Sequence, residues 1–465
     1  MCLLLANLVE SLLYYVTFSS YVLFIGRNTL KMLLTTAILQ TEERHEVDLS
    51  ILRALCYQSA RLYNASLYSV RQHFFETGKF LRYGDNWNLL KTGVDYKMLQ
   101  SDASQQIMKN VDRDMSSFFR LLSMKKAGKY TANVHIPRYK DKEGYTICPI
   151  YGRAFRIKKD GTARFGLTKP FIEKYNLDCK YIQFTIPSHL REVKQFNEVR
   201  IIPQYGGKQF KVEFIYEAPQ PRQATGNGYL SVDMGVSNLM ACVSFSNGRS
   251  HQFLVDGKRA KHINYYYNKK LAGLKSANPD SKRNTKRMIR LYNGREQRLN
   301  DYFSKVSRMV VNYCLDNEIS HVVVGYNKEQ KQEVNIGKVN NQNLCYIPHY
   351  KLRRKLQYLC ELHGIEYISH EESYTSKASC LDMDEIPVYK PGSTEEHKFS
   401  GRRVHRGLYK SSDGSLLNAD INGAVNILRK YFKERKENWL FQDSVRALVN
   451  APCLRVSPWT QAHRL

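Results

Sequence analysis

The alternation of apolar and polar residues changes twice along this chain, and each change marks a different kind of element. "MLLTTAILQTEE", beginning at Met32, alternates with a period of two and predicts a strand. Helical spacing follows. In "DLSILRALCYQSARLYNASLYSVRQHFF", Leu52, Leu55, Leu62 and Val70 recur on one face, and in "SDASQQIMKNVDRDMSSFFRLL", Ile107, Val111, Met115, Phe118 and Leu122 do the same. Ser101 or Asp102 is the expected N-cap of the second helix. Between about residues 135 and 217 the period returns to two, in "YTICPIYGRAFRI", "KYIQFTIP" and "VRIIPQYGGKQFKVEFIYE". The last of these folds back at Gly206-Gly207 like a hairpin.

"APQPRQATGNG", residues 218–228, reads as a linker, and beyond it strands and helices alternate. "YLSVDMGVSNLMACVSF" predicts a buried strand and hairpin, and "LNDYFSKVSRMVVNYC" a helix. The strand "HVVVGY", the helix "PHYKLRRKLQYLCELHG" and the strand "IEYIS" come next, with a final helix opening at "NADINGAVNILRKYF". This order predicts a mixed sheet covered by helices. The division expected is a β-barrel-like domain from 32–47 and 135–220, a helical insertion at 48–134, and an α/β domain from 225–376 and 418–436. Residues 377–417 form an insert, and 441–465, which lack periodicity, read as a C-terminal tail.

The first 25 residues are apolar but interrupted by Glu10 and Ser11, and no basic segment precedes them, so a cleaved signal peptide fits poorly. Residues 1–31 are expected to be an upstream extension, with a second start at Met32. Ten cysteines without a CxxC pair match neither a disulfide framework nor a zinc signature, and point to a reducing cytoplasmic compartment.

Charge narrows the partner. Lys plus Arg total 71 against 43 for Asp plus Glu, a formal net charge of +28. Such a surplus favours a polyanion, because each cation that neutralises a phosphate releases a condensed counterion. Against this background a few acids stand out. Asp233 interrupts an apolar strand, where a carboxylate pairs with a local Arg, caps a turn or holds a metal. Asp420 stands where a helix starts, a common place for a capping Asp. Glu371 and Glu372 are adjacent at a strand exit.

"VDMGVSNL" and "NADINGAVNI", together with "GYNKEQKQ", "NNQNLCYIPHYKLRRKLQYLCELHGIEYI", "EESYTSKAS" and "FSGRRVHRGLYKSSDGSLLNADINGA", resemble in order the motifs of TnpB proteins. These are transposon-encoded, RNA-guided DNA nucleases of the OrfB type, related to type V CRISPR effectors. The resemblance covers nearly all of residues 228–430. It implies a multidomain α/β plus β fold, with an RNase H-like (RuvC) catalytic domain after an N-terminal β-barrel-like domain carrying a helical insertion. It also implies a site in which three carboxylates hold two Mg²⁺ ions, hard cations that take oxygen ligands. The usual family pattern places its second acid at the end of "HVVVGYN", where this chain has Gly325; some branches carry it two residues before a "YTSK" motif, which here is Glu372. The resemblance therefore implies Asp233, Glu372 and Asp420 as catalytic residues and Mg²⁺ ligands, with Glu371 and Glu329 as the other acids in reach.

The family commonly inserts a zinc ribbon before the last motif. This chain retains there only Cys380, with His397 and His405 as conceivable helpers, so zinc is not expected, and Phe399, Leu408 and Tyr409 should pack the insert. The implied partners are a guide RNA and double-stranded target DNA, one protein per guide, with no membrane, in a prokaryotic cytoplasm. Three basic runs suit the nucleic-acid backbone: Arg283, Lys286, Arg287 and Arg290; Arg353 and Arg354; Arg402, Arg403 and Arg406. A nuclease-inactive DNA-binding repressor and a transposase are the alternatives.

Overall fold

The structure is a computed structural model that describes residues 24–26, 29–40, 48–158, 160–193, 196–218, 222–278, 285–327, 346–388, 396–405, 407–437 and 442–459. Two compact units divide it, Met1–Pro219 and Gln220–Leu465. Residues 1–23, most of the expected extension, lie outside the described residues.

In the first unit, β1 (Phe24–Gly26) and β2 (Thr29–Gln40) are followed by helices α1 (Leu49–Thr77), α2 (Tyr83–Leu90), α3 (Val94–Lys97) and α4 (Ser101–Lys126). Then come β3 (Cys148–Tyr151), β4 (Phe155–Ile157), β5 (Thr162–Gly166), α5 (Lys169–Tyr175), β6 (Tyr181–Thr185), β7 (Phe196–Gln204) and β8 (Gln209–Ala218). These strands form an antiparallel sheet of order β1-β2-β8-β7-β3 and a second of order β4-β5-β6. The strands of the expected β-barrel-like domain thus pair, among the described residues, as two sheets. They are joined by one aromatic core, in which Phe155, Phe184 and Phe196 pack around Phe214.

"YTICPIYGRAFRI" is split between the two sheets by a single 3₁₀ turn at Gly152–Ala154. Asp48 caps α1 through Ser50 N–H at 2.7 Å. The cap of α4 is Gln100, not Ser101 or Asp102. Its amide is drawn instead to the Gly166 carbonyl, while Asp102 falls in the first turn, where a negative charge suits the helix dipole.

The second unit is built on a six-stranded sheet. Its elements are β9 (Gly228–Asp233), β10 (Asn238–Ser246), β11 (Arg249–Asp256), α6 (Lys258–Ser276), α7 (Lys286–Asp316), β12 (Ile319–Tyr326), α8 (His349–Leu362) and β13 (Glu366–Glu371). They continue with β14 (Arg402–His405), β15 (Leu408–Lys410), β16 (Leu416–Asn418), α9 (Ala419–Glu434), α10 (Gln442–Ala447) and β17 (Leu454–Val456). The sheet order is β13-β12-β9-β10-β11-β17. Strands β9, β10 and β11 are antiparallel neighbours, whereas β12 runs parallel to β9 and β13 parallel to β12.

Both faces of this sheet are covered, which is why its central strands read as unbroken apolar runs rather than alternating ones. Ala241, Val243 and Phe245 of β10 share a core with α9, through Ile421, Val425 and Leu428. The intervening Ser244 meets the Tyr313 hydroxyl of α7 at 2.7 Å on the other side.

Of the stretch 441–465, expected as a tail, the described residues 442–459 depart from that reading. Val445 and Leu448 are buried in the α9 core, and β17 pairs in parallel with β11 as the edge strand. Their apolar residues recur at no regular interval, but the open β11 edge supplies the pairing. No helix among the described residues is long and apolar enough to cross a membrane.

A candidate carboxylate site at the ends of three parallel strands

Strands β9, β12 and β13 run in the same direction, and register fixes where they end. Val232 pairs with Val324, and Gly325 with His370, so Asp233, Gly325 and the Glu371-Glu372 pair emerge at one edge of the sheet. Helix α9 starts at the same edge. Its N-cap is Asn418, whose Oδ1 accepts from the N–H groups of Asp420 at 3.0 Å and Ile421 at 3.3 Å. Asp420 is therefore not the cap that its position suggested. With the cap filled by Asn418, its carboxylate turns to other partners: Asn238 Nδ2 donates to it at 2.7 Å, and Arg403 at 3.3 Å.

Two glycines leave room for the acids. A Cβ on Gly325 would overlap the Glu372 carboxylate and stand 2.6 Å from Ile427 Cδ1. A Cβ on Gly423, in the first turns of α9, would stand 2.7 Å from Asp233 Oδ2. Side-chain atoms essentially never approach that closely, so both positions need glycine for the carboxylates to sit where they do. The position where the resemblance places an acid thus holds no side chain, and the Glu372 carboxylate from the neighbouring strand occupies the space.

The turn that delivers Glu372 is held from both sides. Thr375 donates to the Glu372 carbonyl through N–H at 3.2 Å and Oγ1 at 2.8 Å, and Tyr374 adopts a left-handed φ of 63°. Asn426, fully buried on α9, donates to the Thr375 carbonyl at 2.8 Å and the Ala378 carbonyl at 2.6 Å. Asn422 donates to Ala378 and accepts from Cys380 N–H. Glu371 faces away from this role. It pairs with Lys430 of α9, whose side chain is 1% exposed and whose Nζ also donates to the Ser373 carbonyl at 3.2 Å.

Electrostatics separates these acids. Desolvation, then the charges of Glu372 and Asp420, push the Asp233 carboxyl well above its usual range, and Arg403 opposes the shift. Desolvation raises Glu372 to about 7, against the pull of Arg353. Burial works in the same direction on Glu371, but hydrogen bonds from Lys430 and Ser373 bring it below its ordinary value. A buried carboxyl raised by the charges of two others, as Asp233 is, is what a nearby cation would relieve.

The donor set fits a hard divalent cation on two observations. Every side chain of the trio offers oxygen. Asn238, beside Asp420, keeps a buried Oδ1 that has no protein hydrogen-bond partner among the described residues. The three acids do not close on a single point, and among the described residues no three His, Cys, Asp or Glu side chains form a compact ion-holding group. In the insert, Cys380 is fully buried beside α9, His397 packs edge-on against Tyr374 at 5.0 Å, and Tyr409 is buried with its hydroxyl on the Lys377 carbonyl at 2.7 Å.

Of the basic residues, Arg353 stacks on Tyr326 at 4.1 Å and acts on Glu372, and Arg403 reaches Asp420. Lys286, Arg287 and Arg290 are exposed at the start of α7, Arg354 on α8 and Arg402 on β14. Arg283, Arg406 and Glu329 lie outside the described residues. The contributions of Asn238, Asn422, Asn426 and Gly423 escape sequence reading. A neutral amide or a glycine in a helix carries no signal of its own until the fold shows which buried group it meets.

The OrfB_IS605 family, described as a probable transposase, matches residues 209–331, and the Cas12f1-like TNB domain matches residues 349–427. Asp233 falls in the first segment, Glu372 and Asp420 in the second. Over 410 residues the chain is 24% identical to the TnpB-like protein ORF457 of Acidianus two-tailed virus, covering 82% of this chain and 83% of that protein. The chain is thus similar to a TnpB-like protein over most of its length. Among solved structures it is similar to a Cas12f1–sgRNA–target DNA complex, with a TM-score of 0.46 and 15% identity over 81% of this chain and 82% of that one. It is also similar to the mini-RNA-guided endonuclease CRISPR-Cas_phi3, with a TM-score of 0.43 and 11% identity over 85% and 92%.

Proposed function

We propose that the chain is an RNA-guided DNA endonuclease whose RNase H-like (RuvC) site holds two Mg²⁺ ions on Asp233, Glu372 and Asp420. The observation that carries this reading is the convergence on Asp233 of two further acids, delivered by β9, the β13 exit and α9, whose charges raise its buried carboxyl, with Gly325 and Gly423 leaving room for Glu372 and Asp233. The strand order β11-β10-β9-β12-β13, antiparallel then parallel, supports the RNase H-like reading. The net charge of +28 and the TnpB-like motifs support a guide RNA and a DNA duplex as partners.

When bound, a divalent pair activates water and stabilises the leaving oxygen of a phosphodiester. The chain's own residues prepare that site. Asn418 leaves the Asp420 carboxylate uncapped, and Asn238 and Arg403 orient it. Thr375 and Asn426 fix the turn behind Glu372, while Lys430 keeps Glu371 out of the site.

The test is cleavage by the purified protein–RNA complex. Glu372→Ala should abolish Mg²⁺-dependent cutting of a guide-matched duplex and leave RNA binding intact; normal cutting by this variant would overturn the assignment. The family description as a probable transposase favours one further reading, in which the same acids join strands. Strand transfer from donor ends in the same reaction would support it, and hydrolysis alone would not.

A further inference from the structure

Away from the carboxylates, the helical pair α6 and α7 carries an aromatic and cationic surface that neither the acids nor the basic runs above use. Tyr266 and Tyr267 stand on α6 and Tyr292 on α7, and Tyr346 precedes α8. The rings of Tyr267 and Tyr292 meet edge to face at 6.4 Å. Arg295 lies 5.2 Å over Tyr267 and 5.9 Å from Tyr346, while Tyr266 sits between Lys270 at 5.8 Å and Arg298 at 6.0 Å.

The cluster is both open and fixed. Tyr266, Tyr292 and Tyr346 are 43%, 40% and 38% exposed. Arg295, itself nearly buried, donates to Asn264 Oδ1 at 2.7 Å and to the Tyr346 carbonyl at 2.8 Å, which holds that residue against the helices. The neighbouring Glu296 is neutralised by Arg295 and Lys351, so no free carboxylate repels an anion there.

We infer that this face binds single-stranded nucleic acid by stacking unpaired bases on Tyr266, Tyr292 and Tyr346, with Lys270 and Arg298 meeting the phosphates. Interleaved flat rings and cations are what an unpaired strand needs, because every base has a π-face and its backbone carries one charge per nucleotide. A duplex hides its base faces and gains nothing from the rings. The ligand class deepens the nucleic-acid reading above and rests on it, yet needs neither metal nor cleavage.

The test is therefore binding in EDTA, with the full-length protein and fluorescent oligo-dT or oligo-U of about 20 nucleotides. Tyr266→Ala, Tyr292→Ala and Tyr346→Ala should each weaken binding about tenfold with an unchanged salt slope, since one stacked base is lost and no phosphate contact. The corresponding Phe variants should bind like the parent. Arg298→Gln should instead lower the salt slope by about 1. Iodouracil placed along the strand should crosslink to peptides containing these tyrosines. Tighter binding of oligo-dT would assign the face to a DNA strand, and of oligo-U to RNA.

Parent-like binding by all three Ala variants, equal losses in the Phe variants, or an equal loss of duplex binding would each overturn the inference. Because cutting is not read, failure here leaves the carboxylate assignment standing, and an inactive Glu372→Ala leaves this one untouched.

Discussion

Gly325→Ala adds one methyl group and tests the claim that Glu372 serves in place of an acid on β12. The new Cβ would stand 2.6 Å from Ile427 Cδ1, about 1 Å inside ordinary carbon contact, and would overlap the Glu372 carboxylate. Ile427 is fully buried in the α9 core and cannot retreat freely. The carboxylate is the softer neighbour and must move by about 1 Å. Overpacking of this kind costs about 1–3 kcal/mol of stability. A displacement of about 1 Å in a catalytic group costs on the order of 10²-fold in rate.

Single-turnover cleavage by the protein–RNA complex should therefore fall about 100-fold, while equilibrium binding of target DNA stays within a factor of about two. Combining Gly325→Asp with Glu372→Ala removes the overlap with the carboxylate, leaves the contact with Ile427, and returns a carboxylate to β12, so this double variant should cut faster than Glu372→Ala alone. Cleavage at the parental rate by Gly325→Ala would refute the reasoning, since it would mean that the Glu372 carboxylate is not needed where it sits.

Three other perturbations follow from the same geometry. Glu372 titrates near 7 when folded and metal-free against 4.5 ordinarily, so between these values the folded state holds more protons than the unfolded one, and stability falls as pH rises. Mg²⁺ should accordingly raise Tm more at pH 8 than at pH 5.5, and equal increments would contradict the site. Lys430→Met keeps the volume but leaves Glu371 without its cation; because that carboxylate is 41% exposed and can hydrate in part, the loss should be about 1–3 kcal/mol, read as a lower denaturant midpoint with unchanged m. Asn426→Leu strands the buried carbonyl of Thr375 and leaves that of Ala378 to Asn422 alone, costing about 1–3 kcal/mol and loosening the turn behind Glu372. Hydrogen exchange confined to residues 373–380 would report that loosening, and unchanged protection there would count against it.

Much of this protein is legible in one dimension. The helical spacing of Leu52, Leu55, Leu62 and Val70, the strand HVVVGY and the turn at Gly206-Gly207 declare themselves because local periodicity and turn chemistry are properties of neighbours in sequence. The three acids are singled out by the order of motifs that resemble TnpB, since a carboxylate at a strand end or before a helix is by itself an ordinary turn or cap. What sequence could not supply is any fact that depends on residues far apart meeting. That the strands of the expected barrel-like domain pair, among the described residues, as two sheets could not be read in advance, since it depends on pairing between distant segments. Leu454–Val456, patternless on paper, become an edge strand because β11 offers an unpaired ladder. Asp420 is released from capping by a neighbour two residues away, and Gly325 matters only because Glu372 arrives from another strand to fill its space. Local pattern chose the elements; desolvation and close contact between distant segments decided which acids were buried together and which, like Glu371, were paired away.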